Sequence, residues 1–270
     1  MTPLIDGEEA KIILPREDLG FARAAQCLAD AYQGWKDQCI KISSNNERFD
    51  YMIRSVDSTP WFIISLADYI RWTGDREFCL FTGILPGEQA RQVIKRLLLP
   101  DFFSGWGICT MSNREVAYNP MSYHNGSVWP HDNAIIGFGM KLAGAVAPLQ
   151  QLVETLFEAA EYFDHMRLPE LFCGFTRRGN AGPVKYPIAC DPQAWSISSM
   201  FLMLRALLGI ECRGTHIYVQ NPQLPGFLQT LRLENIRAGN GAAALEFTRR
   251  HDKTYCGVIG TKGDVMVIFK

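Results

Sequence analysis

Between Tyr118 and Asn133 the chain reads YNPMSYHNGSVWPHDN, and this stretch is where its chemically useful side chains gather. Tyr118, Tyr123 and Trp129 offer aromatic faces, while His124, Asn125, His131 and Asp132 offer imidazole, amide and carboxylate groups around the turn at Gly126. Aromatic faces stack on the C–H face of a sugar ring, and the polar groups grip its hydroxyls. A site for an uncharged polyol needs that mixture, because hydroxyls left unpaired on desolvation are costly. An aromatic corner whose polar tips are satisfied internally is the other reading of the same residues. A metal is not expected. His124 and His131 stand seven positions apart with a proline between them, and neither HExxH nor Cys/His spacing occurs. A serine hydrolase is not expected either, since GxSxG is absent.

The same segment closely resembles the YHNGSVWPHDN element of bacterial amylo-α-1,6-glucosidase-like (glycogen-debranching-like) glycoside hydrolases, relatives of the glucoamylases. Val56-Asp57-Ser58-Thr59-Pro60-Trp61-Phe62 resembles the first-helix motif of that family. The resemblance implies that Asp57 holds hydroxyls of a terminal glucose with the aromatic Trp61 beside it, although Asp57 equally suits a helix N-cap. Arg167-Leu168-Pro169-Glu170-Leu171-Phe172 resembles the Leu-Pro-Glu-Leu element that carries the family's general base. Glu170 inherits that role; without the resemblance, a glutamate after Leu-Pro reads as a surface residue. Cys190-Asp191-Pro192-Gln193-Ala194-Trp195-Ser196 resembles a Cys-Ser-Pro-Gln-Ala-Trp segment, which places Gln193 and Trp195 at the pocket floor. Trp195 also suits a core position, and Asp191 a helix cap. Tyr123, His124, Asn125, Trp129, His131 and Asp132 complete the implied sugar contacts.

The resemblance implies inverting hydrolysis of a terminal α-glucosidic bond in an α-glucan or oligosaccharide, with two carboxyl groups, a water and no cofactor. The family's acid lies in a Gly-Trp-Lys-Asp-type segment. Gly34-Trp35-Lys36-Asp37 spells those letters but precedes the Asp57 motif, so Asp37 is either the acid or a solvated helix residue. About six helices can be counted, fewer than an (α/α)6 barrel contains, and Cys79-Leu80 reads as a junction between parts that relatives separate. The expectation is therefore a mainly α chain with internal deletions, a partial (α/α)6-type helical toroid with a small C-terminal antiparallel β-unit. Its parts would be an N-terminal remnant over 1–55, an incomplete barrel over 56–210 and the β-unit over 211–270. A non-catalytic carbohydrate-binding remnant, or a pseudogene product with no stable fold, are the competing readings.

Those side chains need elements to carry them. Phe21, Ala24, Ala25, Leu28 and Tyr32 recur at helical spacing within a helix expected from about 19 to 53, interrupted near Ser43 to Asn46. Asp57 with Pro60 opens a second, running to Thr73-Gly74-Asp75. Gly87 to Leu99, the run from Pro130 through Met140, Leu149 to Phe163 and Pro192 to Leu208 supply the others. After Gly209 the segments His216–Gln220, Thr230–Arg237, Ala244–Arg250, Thr254–Ile259 and Val265–Phe269 are β-branched or alternating, with glycine turns between.

Composition narrows the class. At 270 residues and 47% hydrophobic, the chain can bury a full core. A net charge of -1 with no Lys/Arg cluster argues against nucleic acid as a partner. No apolar run reaches bilayer length and the start MTPLIDGEEAK lacks a signal core, so no membrane association and a cytoplasmic location are expected. The eight cysteines are scattered singly and read as reduced thiols.

Overall fold

A computed structural model describes residues 41–54 and 87–270. Asp37, Asp57, Trp61, the Cys79-Leu80 junction and the helix expected from Asp57 to Asp75 lie outside these residues, as does most of the helix from about 19.

The first described element is a strand, β1 (Lys41–Ser44), followed by α1 (Glu47–Arg54). The helix expected to reach about 53 is thus preceded by a strand at the place where its periodicity failed. Asn46 starts α1, its Oδ1 accepting the Phe49 N–H at 3.0 Å. Asn45 ties the turn to the far end of the chain, accepting the amides of Gln229 at 2.7 Å and Thr230 at 2.9 Å.

Four of the apolar periodic segments are helical, as α2 (Gly87–Leu97), α3 (Pro130–Leu142), α4 (Val146–Ala160) and α5 (Ala194–Leu208). Pro130 opens α3 at the position where its missing N–H would have had no intrahelical partner. In α4 the side chains of Leu149, Leu152, Val153, Leu156, Phe157 and Ala160 form one buried stripe. Each large apolar member contributes about 1.5–3 kcal/mol of burial. α5 begins at Ala194, with Gln193 as its N-cap and no side-chain cap, so Asp191 is an exposed loop residue and not the cap. It stops at Gly209 in the left-handed conformation (φ 62).

The remaining strands are β2 (Ile210–Arg213), β3 (His216–Val219), β4 (Thr230–Ala238), β5 (Gly241–Arg250), β6 (Lys253–Lys262) and β7 (Met266–Phe269). They form an antiparallel four-stranded sheet in the order β1-β4-β5-β6 and a three-stranded sheet in the order β2-β3-β7. In the second sheet β3 pairs with β7 in parallel.

This corrects the expected fold class. The described residues are not mainly α, and their helices do not form a partial toroid with a β-appendage. The architecture is mixed, with two sheets, and the four-stranded one draws β1 from well before the supposed β-unit. The physical reason lies in β4 and β5. Leu231, Leu233, Ile236 and Ala238, facing Ala243, Leu245 and Phe247, are buried in the same apolar cluster as α3, α4 and α5. Phe157 of α4 stacks on Phe227 at 4.3 Å, and Phe49 of α1 lies 5.9 Å from both. The sheet face is thus one side of the main core, which helical periodicity alone does not reveal.

Candidate active site

Three extended segments set the site, and they meet at the backbone. Val128 N donates to Phe172 O at 2.9 Å and Phe172 N returns the bond to Val128 O at 3.0 Å. Cys109 bridges to Val128 on one side, and Lys185 bridges to Phe172 on the other. The loop before α3, the segment after Glu170 and the stretch around Tyr186 are therefore side by side. The approach is close: a Cβ on Gly174 would sit 1.6 Å from the Gly126 carbonyl oxygen. Thr110 locks the tip of the aromatic loop, its hydroxyl donating to His124 O at 2.6 Å and accepting the Gly126 N–H at 3.0 Å.

Asn133 fixes where α3 begins. It is 1% exposed, and its Oδ1 accepts the Ile108 N–H at 2.8 Å. Its Nδ2 donates to Ile108 O at 3.0 Å and Trp129 O at 2.9 Å. Trp129, His131 and Asp132 are thereby held against the neighbouring segment.

Glu170 sits at the centre. Only 6% of it is exposed, and both carboxylate oxygens have donors. The Tyr123 hydroxyl donates to Oε1 at 2.6 Å, and the Cys190 N–H donates to Oε2 at 3.2 Å. Its backbone is anchored too, with Glu170 N donating to Cys190 O at 2.9 Å and the Ser196 hydroxyl of α5 donating to Glu170 O at 3.2 Å. The hydrogen bond to Glu170, with burial second, pushes the Tyr123 phenol up to about 12.

Around this pair the aromatic side chains converge. Trp129 meets the Tyr123 ring edge-on at 4.8 Å, His124 meets it edge-on at 4.7 Å, and His124 and Trp129 lie parallel at 5.8 Å. His131 lies 5.5 Å from Trp129 and stacks on Trp195 at 4.8 Å. Trp195 is 40% exposed, so it is a rim residue and not part of the core. His131 Nε2 is 3.1 Å from Asp132 Oδ1, while the buried Nδ1 has no hydrogen-bond partner among the described residues. Burial pushes the His131 imidazole down and the Asp132 carboxyl up, each opposed by the other's charge. Such a pair can both donate to and accept from hydroxyls.

Tyr123, His124, Trp129, His131, Asp132, Glu170 and Trp195 are therefore brought together. Asn125 is half-buried in the loop, where its carbonyl accepts the Asn119 N–H at 2.8 Å. Gln193 is half-buried at the start of α5. Three participants escaped sequence reasoning. Tyr186 lies 5.8 Å from the Tyr123 ring, and Cys190 and Ser196 hold Glu170. The Tyr186-Pro187 pair between Glu170 and Gln193 was the available signal for the first. No group of three or more His, Cys, Asp or Glu among the described residues is arranged to hold a metal.

A buried carboxylate thus lies among aromatic and imidazole side chains. Residues 73–183 match the model of the mannosylglycerate hydrolase MGH1-like glycoside hydrolase domain, a span that includes both the aromatic loop and Glu170. The match supports a glycoside hydrolase family of the six-hairpin type and does not single out the debranching enzymes. No curated protein matches the chain. A solved structure titled "Sialidase" is similar with a TM-score of 0.51 and 14% identity, over 67% of this chain and 18% of that one. At that identity the likeness is one of fold alone, and with the two sheets it overturns the mainly helical expectation. The chain spans less than a fifth of that structure, 18% of its length. No described helix is long and apolar enough to cross a membrane.

Proposed function

We propose that the chain is an inverting α-glycosidase in which Glu170 is the general base. The observation that supports this best is the Glu170 carboxyl itself, buried, held by two donors and without a Lys or Arg ion pair among the described residues. A base in an inverting enzyme takes a proton from the attacking water as that oxygen bonds to the anomeric carbon and the departing oxygen is protonated. Trp129 and Trp195 supply stacking surfaces, and the His131–Asp132 pair supplies hydroxyl contacts. The sugar proposed is an α-linked glucose or mannose. Glucose in α-1,6 linkage follows from the sequence resemblance, and mannose from the name of the matching family.

The test compares the full chain with Glu170→Gln on isomaltose, maltose, mannosylglycerate and the α-fluorides of glucose and mannose. Fluoride leaves without a proton, so its turnover depends on the base alone. Expected is fluoride hydrolysis to the β-anomer, read by NMR, falling about a hundredfold to ten-thousandfold in Glu170→Gln. Equal rates for the two proteins would sink the assignment of the base. Binding of sugar with no turnover by either would favour the non-catalytic carbohydrate-binding reading.

A further inference from the structure

We infer that Tyr123 is the positioning residue of Glu170, its hydroxyl holding the buried carboxyl in place and fixing the direction of its remaining lone pairs. This rests on the reading of Glu170 as the base.

An ionised carboxyl removed from water is unfavourable unless donors replace the lost hydration. Glu170 has two, and they are unequal. The Tyr123 O–H···O distance of 2.6 Å is that of a charge-assisted bond, while the Cys190 N–H lies at 3.2 Å. The tyrosine is also unable to swing away. Its ring is met by His124, Trp129 and Tyr186, and its carbonyl accepts the Ser127 hydroxyl at 2.7 Å and the Trp129 Nε1–H at 3.1 Å. One loop thus builds the sugar platform and aims the base from the same side chain. Sequence placed Tyr123 among the sugar contacts; the structure adds that its hydroxyl donates to Glu170. Because that proton is held up to about 12, Tyr123 remains a donor at any working pH. The other titratable groups facing the pair are His124, His131, Tyr186 and Cys190, with Asp132 beyond His131.

The experiment is steady-state kinetics of the full chain on the α-glycosyl fluoride. In Tyr123→Phe kcat should fall about tenfold at little change in KM, because the carboxyl is still present but no longer aimed. A second measurement needs no variant of Tyr123. In Glu170→Gln labelled with ring-13C tyrosine, one tyrosine should titrate near the ordinary value of about 10. A kcat unchanged in Tyr123→Phe, or a Tyr123 titration unmoved in Glu170→Gln, overturns the inference. Those outcomes are separable from failure of the base, which shows as undiminished fluoride turnover by Glu170→Gln.

Discussion

Substituting Asn133 by alanine removes three hydrogen bonds from the entry to α3 in one step. Their partners fare differently. Trp129 O keeps a donor, the Asn133 backbone N–H at 3.1 Å, whereas Ile108 N–H and Ile108 O lose the side chain that satisfied them. Ile108 and Asn133 are both buried, so water does not readily replace the amide. Each orphaned group costs about 1–3 kcal/mol, which for the two gives a loss of about 2–6 kcal/mol. With a urea m-value of about 3 kcal/mol per molar, the unfolding midpoint should fall by roughly 0.7–2 M. Asn133→Asp separates hydrogen bonding from volume, since it fills the same space. It keeps the acceptor for Ile108 N–H but sets a carboxyl oxygen against the carbonyls of Ile108 and Trp129. Burial raises the folded pKa of such an acid above the ordinary value of about 4. The folded state then holds the proton more tightly, and stability falls as pH rises from about 4 toward that folded value. The assay is urea unfolding of both variants between pH 4 and 8. A loss below about 0.5 kcal/mol in Asn133→Ala, with a flat pH profile in Asn133→Asp, would refute the role given to this amide.

Two further outcomes follow from geometry already described. Gly174→Ala should lower the thermal midpoint and abolish fluoride turnover together, because its Cβ would fall 1.6 Å from the Gly126 carbonyl oxygen; a variant that melts and turns over normally would show that the loops are not in contact. Arg96, bonding Asp101 at 2.9 and 2.7 Å, and then the Ser112 hydroxyl at 2.5 Å hold the Asp101 carboxyl well below the usual carboxylate range. Its contribution to stability is thus fully present above about pH 4 and lost as pH falls through its folded value, so acid unfolding of Asp101→Asn should be flatter than that of the parent chain.

The spacing of Leu149, Leu152, Val153, Leu156 and Phe157 made α4 legible, as Pro130 did α3 and the alternation of Leu231 and Leu233 did β4. Their arrangement was less so. That β4 and β5 wall the main core, or that β1 joins them, depends on pairings such as Ile42 with Leu233, and local pattern carries no information about partners so distant in the chain. The site divides along the same line. Tyr123, His124, Trp129, His131 and Asp132 stand in one segment, and their side-chain types alone suggested a sugar site. The burial of Glu170 is created by Tyr123, Cys190 and Ser196, each at least 20 residues away, and read locally it was a surface glutamate.

The reciprocal bond between Val128 and Phe172 has a meaning for how such a site changes over generations. It joins the loop bearing the aromatic rim to the segment bearing the carboxyl through main-chain atoms alone. Every amino acid except proline supplies the N–H and C=O that it needs. Substitutions at the loop tips can therefore alter what the rim contacts while the anchor beneath them persists. Drift in preference is cheap there, and drift in the placement of the carboxyl is not.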